Sequence, residues 1–180
     1  MQTPLKIALG FTLAILTACT GIPEGITPVK NFEVDRYLGT WFEIARFDHR
    51  FERDLTQVTA EYSLREDGGV NVLNKGFVVS NKEWKSANAK AYFVGNKDVG
   101  HLKVSFFGPF YSSYIVFVLD HENYDYALVT SSSRDYFWIL ARDPQIAPEV
   151  RTYLIDQAKL YGFDTSKLIW VDQSLGRNRE

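Results

Sequence analysis

The feature that most constrains this chain is a series of eight short segments in which apolar and polar side chains alternate. They cover residues 40–47, 57–65, 70–79, 83–94, 101–107, 114–120, 126–131 and 136–142. A period of two is the pattern of a β-strand with one buried face. Strands at such regular spacing, joined by short turns, favour an up-and-down antiparallel barrel or a sandwich. The length of 180 residues corresponds to one domain.

A single helix is predicted after the last of these strands. Between Val150 and Tyr161 the apolar residues recur every three or four positions, as on one face of an α-helix. Pro148 suits its first turn and Gly162 its C-terminal cap. Residues 168–171 are predicted to form a short final strand. The expected fold is therefore all-β, an eight-stranded barrel with one C-terminal helix packed on its outside.

Residues on the presumed inner face of the strands are unusually small. An eight-stranded barrel is wide enough to be filled by side chains or to hold one small ligand. The small residues are Ala45, Ala60, Ala87, Ala89 and Ala91. They leave space inside, which the aromatic side chains, with four Trp, ten Tyr and thirteen Phe, would then line.

The N-terminus is predicted to be a targeting sequence rather than part of the fold. Lys6 precedes an apolar run over residues 7–16, too short to span a bilayer and typical of a secretory signal peptide over residues 1–18. Leu16-Thr17-Ala18-Cys19 resembles the lipobox of bacterial lipoproteins, which implies cleavage before Cys19 and its lipidation. An ordinary signal peptide with an unrelated cysteine is the alternative. Residues 19–30, with two Pro and two Gly, are then a lipidated N-terminus and flexible tether. The domain would cover residues 31–172, and residues 173–180 a polar tail.

Composition and spacing exclude several functions. A net charge of −2 argues against a nucleic-acid-binding protein. The three histidines, His49, His101 and His121, lack the spacing of a zinc site. The serines of residues 131–133 are not in a G-x-S-x-G nucleophile motif. We therefore expect no catalytic residue, no metal and no cofactor, and a chain that is not an enzyme.

Three motifs in order resemble those of the lipocalin family. They are Gly39-Thr40-Trp41 in the first strand, Tyr124-Asp125-Tyr126 before the seventh, and Arg142 at the end of the eighth. The segments 103–111 and 163–171 resemble the bacterial outer-membrane lipoprotein branch of that family. This resemblance implies a protein of the outer membrane, anchored by lipid, that stores or carries fatty acids or lysophospholipids for envelope maintenance under stress. It also implies a homodimer.

The motif residues have an expected structural role. Trp41 and Arg142 can stack at one end of the barrel and close it, and Gly39 allows the backbone to approach closely. We do not expect them to contact a ligand. Carrying their side-chain parity along the strands predicts a set of inward residues as the ligand-binding wall: Ala45, Val58, Ala60, Tyr62, Val72, Asn74, Ala89, Phe106, Tyr114, Val116, Tyr136 and Trp138.

Two groups of polar residues each have two interpretations, and two other functions are compatible with the same pattern. Glu43 shares the inward face, where it would be paired or exposed. The basic and aromatic residues between His49 and Arg53 would suit a phosphate head group, or would form a solvated loop. A barrel of this kind could equally carry a haem, a bilin or another apolar pigment. It could also be an envelope scaffold protein that binds nothing.

Overall fold

The computed structural model describes residues 20–174. Its eight main strands run in the following order: β1 (Gly39–Arg46), β2 (Leu55–Leu64), β3 (Val70–Val78), β4 (Glu83–Phe93), β5 (His101–Ser105), β6 (Ser112–Leu119), β7 (Tyr126–Thr130) and β8 (Phe137–Ala141). A short helix α1 (Val34–Tyr37) precedes them. Helix α2 (Pro148–Leu160), a 3-10 turn (Thr165–Lys167) and a two-residue strand β9 (Ile169–Trp170) follow.

The sheet closes on itself through β1. Each strand pairs antiparallel with its neighbour in sequence, and β1 pairs with both β2 and β8. Trp41 lies opposite Ala60 on one side, and Glu43 lies opposite Leu140 on the other. The predicted closed antiparallel barrel is therefore confirmed, with β9 added beside the end of β1.

Helix α2 packs on the outer wall of the barrel, as predicted. Leu154 and Ala158 are fully buried in an apolar cluster with outward-facing residues of β1, β6, β7 and β8. Phe163, which follows the helix, stacks on Phe117 with ring centroids 5.4 Å apart. This second core lies between helix and barrel and is separate from the core inside the barrel.

The two ends of the barrel differ because strand directions alternate. The connections after β1, β3, β5 and β7 share one end, which we call the open end. The connections after β2, β4 and β6 share the other, the closed end, where α1 and Trp41 lie. Phe32, just before α1, donates its N–H to the carbonyl of Asp98 on the β4–β5 connection at this end.

The segment predicted to be a flexible tether packs against the barrel instead. Ile26 is buried under α2 at 7% exposure. The N–H of Val29 donates to the carbonyl of Val116, and the carbonyl of Val29 accepts from the N–H of Gly100. The prediction of flexibility is wrong over residues 21–30, because Ile26 and Val29 fit the apolar wall and its free backbone groups. Proline and glycine here shape a fixed path across the surface.

The predicted signal peptide, Cys19 and most of the predicted tail, residues 175–180, lie outside the described residues. Among residues 20–174, no helix is both long and apolar enough to cross a bilayer.

Candidate functional site

The closed end is blocked by Trp41 and Arg142. The Arg142 guanidinium lies 4.1 Å above the Trp41 ring. Its N–H groups donate to the carbonyls of Arg36, Leu38 and Thr40. Gly39 adopts a φ of 90°, a conformation that side chains rarely accept. Trp41 itself is fully buried and donates its ring N–H to the carbonyl of Tyr37. This end is therefore a packed plug.

Three tyrosine hydroxyls meet above the plug. The Tyr114 hydroxyl lies 2.8 Å from that of Tyr37 and 2.8 Å from that of Tyr62. Burial raises the pKa of all three phenols well above the ordinary value. They remain uncharged and satisfy one another's hydrogen bonds. We call this layer of tyrosines the floor of the interior. It is largely apolar, because its three hydroxyl groups are bonded to one another.

Most of the predicted ligand-contacting residues lie on the inner wall above this floor. Cross-strand register places Val72 beside Tyr62 and Ala89, and Asn74 beside Ala60 and Ala87. Val116 lies opposite Val129, and Val129 lies opposite Trp138. Val58 lies on this face two residues before Ala60, and its side chain packs against Gly76.

Burial of the inner face falls toward the open end along β4, β6 and β8. Ala89, Val116 and Leu140 are buried, and one step nearer the open end on the same strands Ala87 is exposed and Tyr114 and Trp138 are half-buried. On β1 and β2 the inner face stays buried at Glu43, Arg46 and Val58. Exposure of the inner wall is therefore greatest on these strands at the open end, which we call the mouth, and least around the tyrosines.

Two predicted ligand residues are elsewhere. Ala45 packs outside the barrel, under α2. A β-bulge between Glu43 and Ala45 reverses the side-chain alternation, so Arg46 replaces Ala45 on the inner face. Phe106 lies beyond the end of β5, is 40% exposed and lines an outer groove. Strand β5 ends at Ser105, so Phe106 does not continue its alternation of inward and outward side chains.

The bulge creates a buried ionic cluster on the inner wall, formed by Glu43, Arg46, His49 and Glu52. Arg46 donates to Glu43 Oε1 at 2.7 Å and to the carbonyls of Glu52 and Leu55. His49 Nε2 lies 2.8 Å from Glu52 Oε2. Three nitrogens of the cluster, Arg46 Nε and both ring nitrogens of His49, are buried without a hydrogen bond of good geometry. Arg46 Nε and His49 Nε2 face Glu52 Oε2 at 4.0 Å and 2.8 Å, and His49 Nδ1 has no such neighbour.

Aromatic rings join this cluster to the mouth. The ring N–H of Trp138 donates to Glu52 Oε2 at 3.1 Å. Tyr136 stacks on Trp138 with centroids 6.1 Å apart, and the His49 ring lies 5.6 Å from Tyr136. Tyr136, predicted as a ligand residue, therefore lies at the mouth just before β8.

The two carboxylates of the cluster have opposite pKa shifts. Burial, and then the charge of Glu52, raise the pKa of Glu43 well above its ordinary value, against the opposing effect of Arg46. Burial alone would also raise the pKa of Glu52. The hydrogen bonds from His49 and Trp138, with the charges of His49 and Arg46, nevertheless hold it below the ordinary value. Of the two carboxyl groups, Glu43 therefore holds its proton to the higher pH.

Arg46 and Glu52 were missed by the sequence reasoning. Strict alternation from Trp41 assigns Arg46 to the outer face, and Glu52 lies in a connection with no periodicity. The one available signal was Glu43, an acidic residue on a predicted inner face. Such a residue needs a basic partner nearby, and Arg46 is the first in the chain.

A separate groove of about 600 Å³ lies on the outer face of β2–β5. Glu61, Lys90 and Asn88 line it together with aromatic residues of the β5–β6 connection. An apolar ligand there would cover charged side chains that have no partner in the groove. The groove is therefore less suited to an apolar ligand than the inner wall of the barrel. In the described part of the chain, no group of His, Cys, Asp and Glu could hold a metal ion.

Comparison with known proteins agrees with this geometry. A family described as "Lipocalin-like domain" matches residues 32–173. The protein named outer membrane lipoprotein Blc is 52% identical over 159 residues in Vibrio cholerae, covering 88% of this chain and 93% of the relative. The protein of that name in Escherichia coli K12 is 52% identical over 169 residues, covering 93% and 95%. Insecticyanin from Manduca sexta superposes with a TM-score of 0.69 at 20% identity, covering 87% and 88% of the two chains, and shows the shared fold.

Proposed function

Because the chain belongs to the lipocalin family, we propose that its barrel binds one acyl-chain lipid, a fatty acid or a lysophospholipid. The family and the close relatives make it a lipid-anchored binding protein of the bacterial outer membrane rather than an enzyme. In this proposal residues 1–18 are removed as a signal peptide and Cys19 carries the anchor. The bound lipid is stored or carried for envelope maintenance under stress.

The observation that carries this proposal is the loss of burial along the inner wall. An acyl chain is long, narrow and apolar, and it needs an apolar pocket that is open at one end only. The wall between Ala87 at the mouth and the tyrosine floor meets that need, with Val72, Ala89 and Trp138 along it. The methylene groups of the chain would replace water there, at about 0.8 kcal/mol each.

The ionic cluster supports a polar head group at the mouth. A carboxylate or phosphate oxygen accepts hydrogen bonds, and Arg46 Nε and His49 Nδ1 are buried without a hydrogen bond of good geometry. Glu43 is neutral when it holds its proton and so repels no anion. We propose that the acyl chain points toward Tyr62 and Tyr114, and that the head group lies near Arg46 and His49.

A titration of the purified lipoprotein with a lysophospholipid tests the proposal. The readout is displacement of a fluorescent fatty acid. Trp138→Ala should weaken binding about tenfold, because the wall loses a large apolar ring. Trp170→Ala is the matched control, since Trp170 lies outside the barrel over Arg151 and should leave affinity unchanged. No binding below about 100 µM would reject the proposal.

Extraction of the protein from its own envelope distinguishes the other functions. Mass spectrometry of the extract should find fatty acids or lysophospholipids in stoichiometric amount. A visible absorbance band would instead indicate a haem, bilin or pigment carrier. A protein with nothing bound and no affinity would indicate a scaffold.

The homodimer implied by the resemblance is part of the same proposal. Sedimentation velocity of the detergent-solubilised lipoprotein, corrected for bound detergent, checks it. A mass of two chains is the expected result, and a mass of one chain would remove the dimer without affecting lipid binding.

A further inference from the structure

Large exposed apolar side chains are concentrated at the open end. Phe107 is 78% exposed and Phe110 is 73% exposed, and both lie in the connection between β5 and β6. Phe51, in the connection between β1 and β2, is 62% exposed, and Val79 and Trp84, around the connection between β3 and β4, are 55% and 53% exposed. Exposed apolar groups in one contiguous region usually mark an interaction surface.

The closed end is different. Among the described residues, its connections 65–69, 94–100 and 120–125 contain no large exposed apolar side chain, and Leu64 at the end of β2 stands alone beside them. If the barrel were free in water, both ends would face the same solvent. The asymmetry therefore indicates that the open end meets something apolar.

The N-terminal segment is fastened beside the β5–β6 connection. The Ser113 hydroxyl donates to the carbonyl of Gly21 at 3.0 Å, and His101 hydrogen-bonds to the backbone of Thr20. Ser113 is the second residue of β6 and lies three residues after Phe110. At about 3.5 Å per residue, Phe110 is within about 10 Å of this fastening point.

The fastening makes the membrane attachment very short. Cys19 is two residues before Gly21, a reach of about 7 Å. A lipid on Cys19 would therefore hold the wall around Ser113 against the bilayer surface. The part of the molecule next to that point, with exposed aromatic rings, is the connection containing Phe107 and Phe110.

We propose that Phe107 and Phe110 insert into the same bilayer that holds the Cys19 lipid, so that the open end of the barrel faces the membrane surface. Tyr111 and Lys103, whose ammonium lies 5.1 Å from the Tyr111 ring, sit beside them at the depth of the head groups. A lipid would then pass between bilayer and pocket without crossing water. The inference rests on the proposed function only in the lipidation of Cys19.

Depth-dependent quenching tests the orientation. The full chain has one cysteine, and lipidation consumes its thiol, so Phe107→Cys and Phe110→Cys each introduce a single reactive thiol. Each lipoprotein is labelled with an NBD fluorophore and reconstituted into vesicles of phosphatidylethanolamine with a minority of phosphatidylglycerol. Asn123→Cys is the control, because Asn123 is exposed at the closed end. Nitroxide on the acyl chains should lower the emission of both loop probes about twofold and leave the control unchanged.

The outcomes separate the parts of the argument. Parent lipoprotein that still reacts with a thiol reagent, and does not float with vesicles, overturns the anchor and with it this orientation. Protein that floats, with loop probes no more quenched than the control, overturns the orientation alone. Loop probes already shielded in detergent, and cross-linked to a second copy, would assign the surface to a dimer instead. Lysophospholipid affinity is a separate measurement and fails independently.

Discussion

At the scale of single residues, the interior is decided by how buried charge is balanced. Glu43, Arg46, His49 and Glu52 bring two carboxylates, one guanidinium and one imidazole into a space that also excludes much of the water. A buried ion costs several kcal/mol unless it is paired. Arg46 lies 2.7 Å from the Glu43 carboxyl and 4.0 Å from that of Glu52, so a proton on Glu43 leaves one carboxylate, Glu52, to balance the guanidinium. The opposite pKa shifts of the two carboxylates follow from this arrangement.

Glu43→Gln should therefore alter how stability depends on pH. The pKa of Glu43 is raised in the folded chain, so its contribution is full below the ordinary carboxyl pKa and is lost as the pH rises through the raised value. The glutamine amide has no such proton to lose. Urea unfolding between about pH 5 and pH 8 should show that the free energy of unfolding of the variant, relative to that of the parent, increases as the pH rises. A stability difference that stays constant with pH would contradict the assignment.

Glu52→Gln is the contrasting change. The pKa of Glu52 is lowered, so its stabilisation is present above the ordinary carboxyl pKa and is lost as the pH falls. Removing its charge weakens the acceptor of His49 and Trp138 and leaves Glu43 as the one carboxyl group beside Arg46. We expect a loss of about 3 kcal/mol in the free energy of unfolding at neutral pH. A loss no larger than that of Glu43→Gln would show that the two carboxylates are equivalent.

Arg142→Lys should destabilise the closed end. Lysine cannot reach the three carbonyls that the planar guanidinium holds, nor stack as well on Trp41. The expected loss is about 2 kcal/mol, measured by chemical denaturation. Arg151→Lys is the control, because Arg151 also stacks on an indole but on the exposed face of α2. Equal losses for the two variants would argue against a special role for the plug.

At the scale of elements, periodicity predicted the structure well wherever a strand or helix stayed regular. The eight strands and α2 lie within a few residues of the predicted ranges, since each has one apolar face against a core. The errors occur where regularity stops. One is the bulge at Glu43–Ala45 and another is the end of β5 before Phe106. A bulge depends on how two strands that are distant in sequence pair with each other, so the alternation within one strand does not predict it.

The N-terminal segment shows the same limit in another form. Two Pro and two Gly indicate a linker by composition alone. Whether such a segment packs depends on a complementary surface. Here that surface is the N–H of Gly100, the carbonyl of Val116 and the apolar wall under α2. That surface exists only after the barrel has closed. Composition therefore predicts turns in this segment, but it does not predict that the segment packs against the barrel.

The helix contributes to stability through one face. Leu154→Ala should cost about 3 kcal/mol in the free energy of unfolding, because the side chain is fully buried between α2 and the barrel. Leu160, on the same helix, is 78% exposed. Leu160→Ala should change stability by less than about 0.5 kcal/mol. A similar loss for both would mean that α2 is held by its helical content rather than by its packing.

At the scale of the whole molecule, the barrel is densely packed at one end and accessible at the other. Residues 83–88 of β4 are all exposed and lie beyond the part of β4 that pairs with β5. Strands β6 to β8 have both faces covered over much of their length. Such a gradient allows an inner wall to adapt to a ligand without loss of the fold.

Hydrogen exchange should show this gradient directly. Peptides covering residues 83–88 should take up deuterium much faster than peptides covering Tyr126–Thr130, because half of their amides lack a sheet partner. Addition of a lysophospholipid should slow exchange in the first region and leave the second unchanged. Equal uptake in the two regions would contradict a rigid closed end.

The pairing of β1 with β8 also sets an order of events during synthesis. Phe42 meets Ala141 across a sequence separation of about 100 residues, a contact that closes slowly and late. The first strand of the barrel leaves the ribosome early, yet one of its edges has no partner until nearly the whole chain has been made. Any sheet that forms before that moment has two free edges, which other chains can join. The architecture that protects a lipid in the finished protein thus requires that the growing chain itself be protected until its last strand arrives.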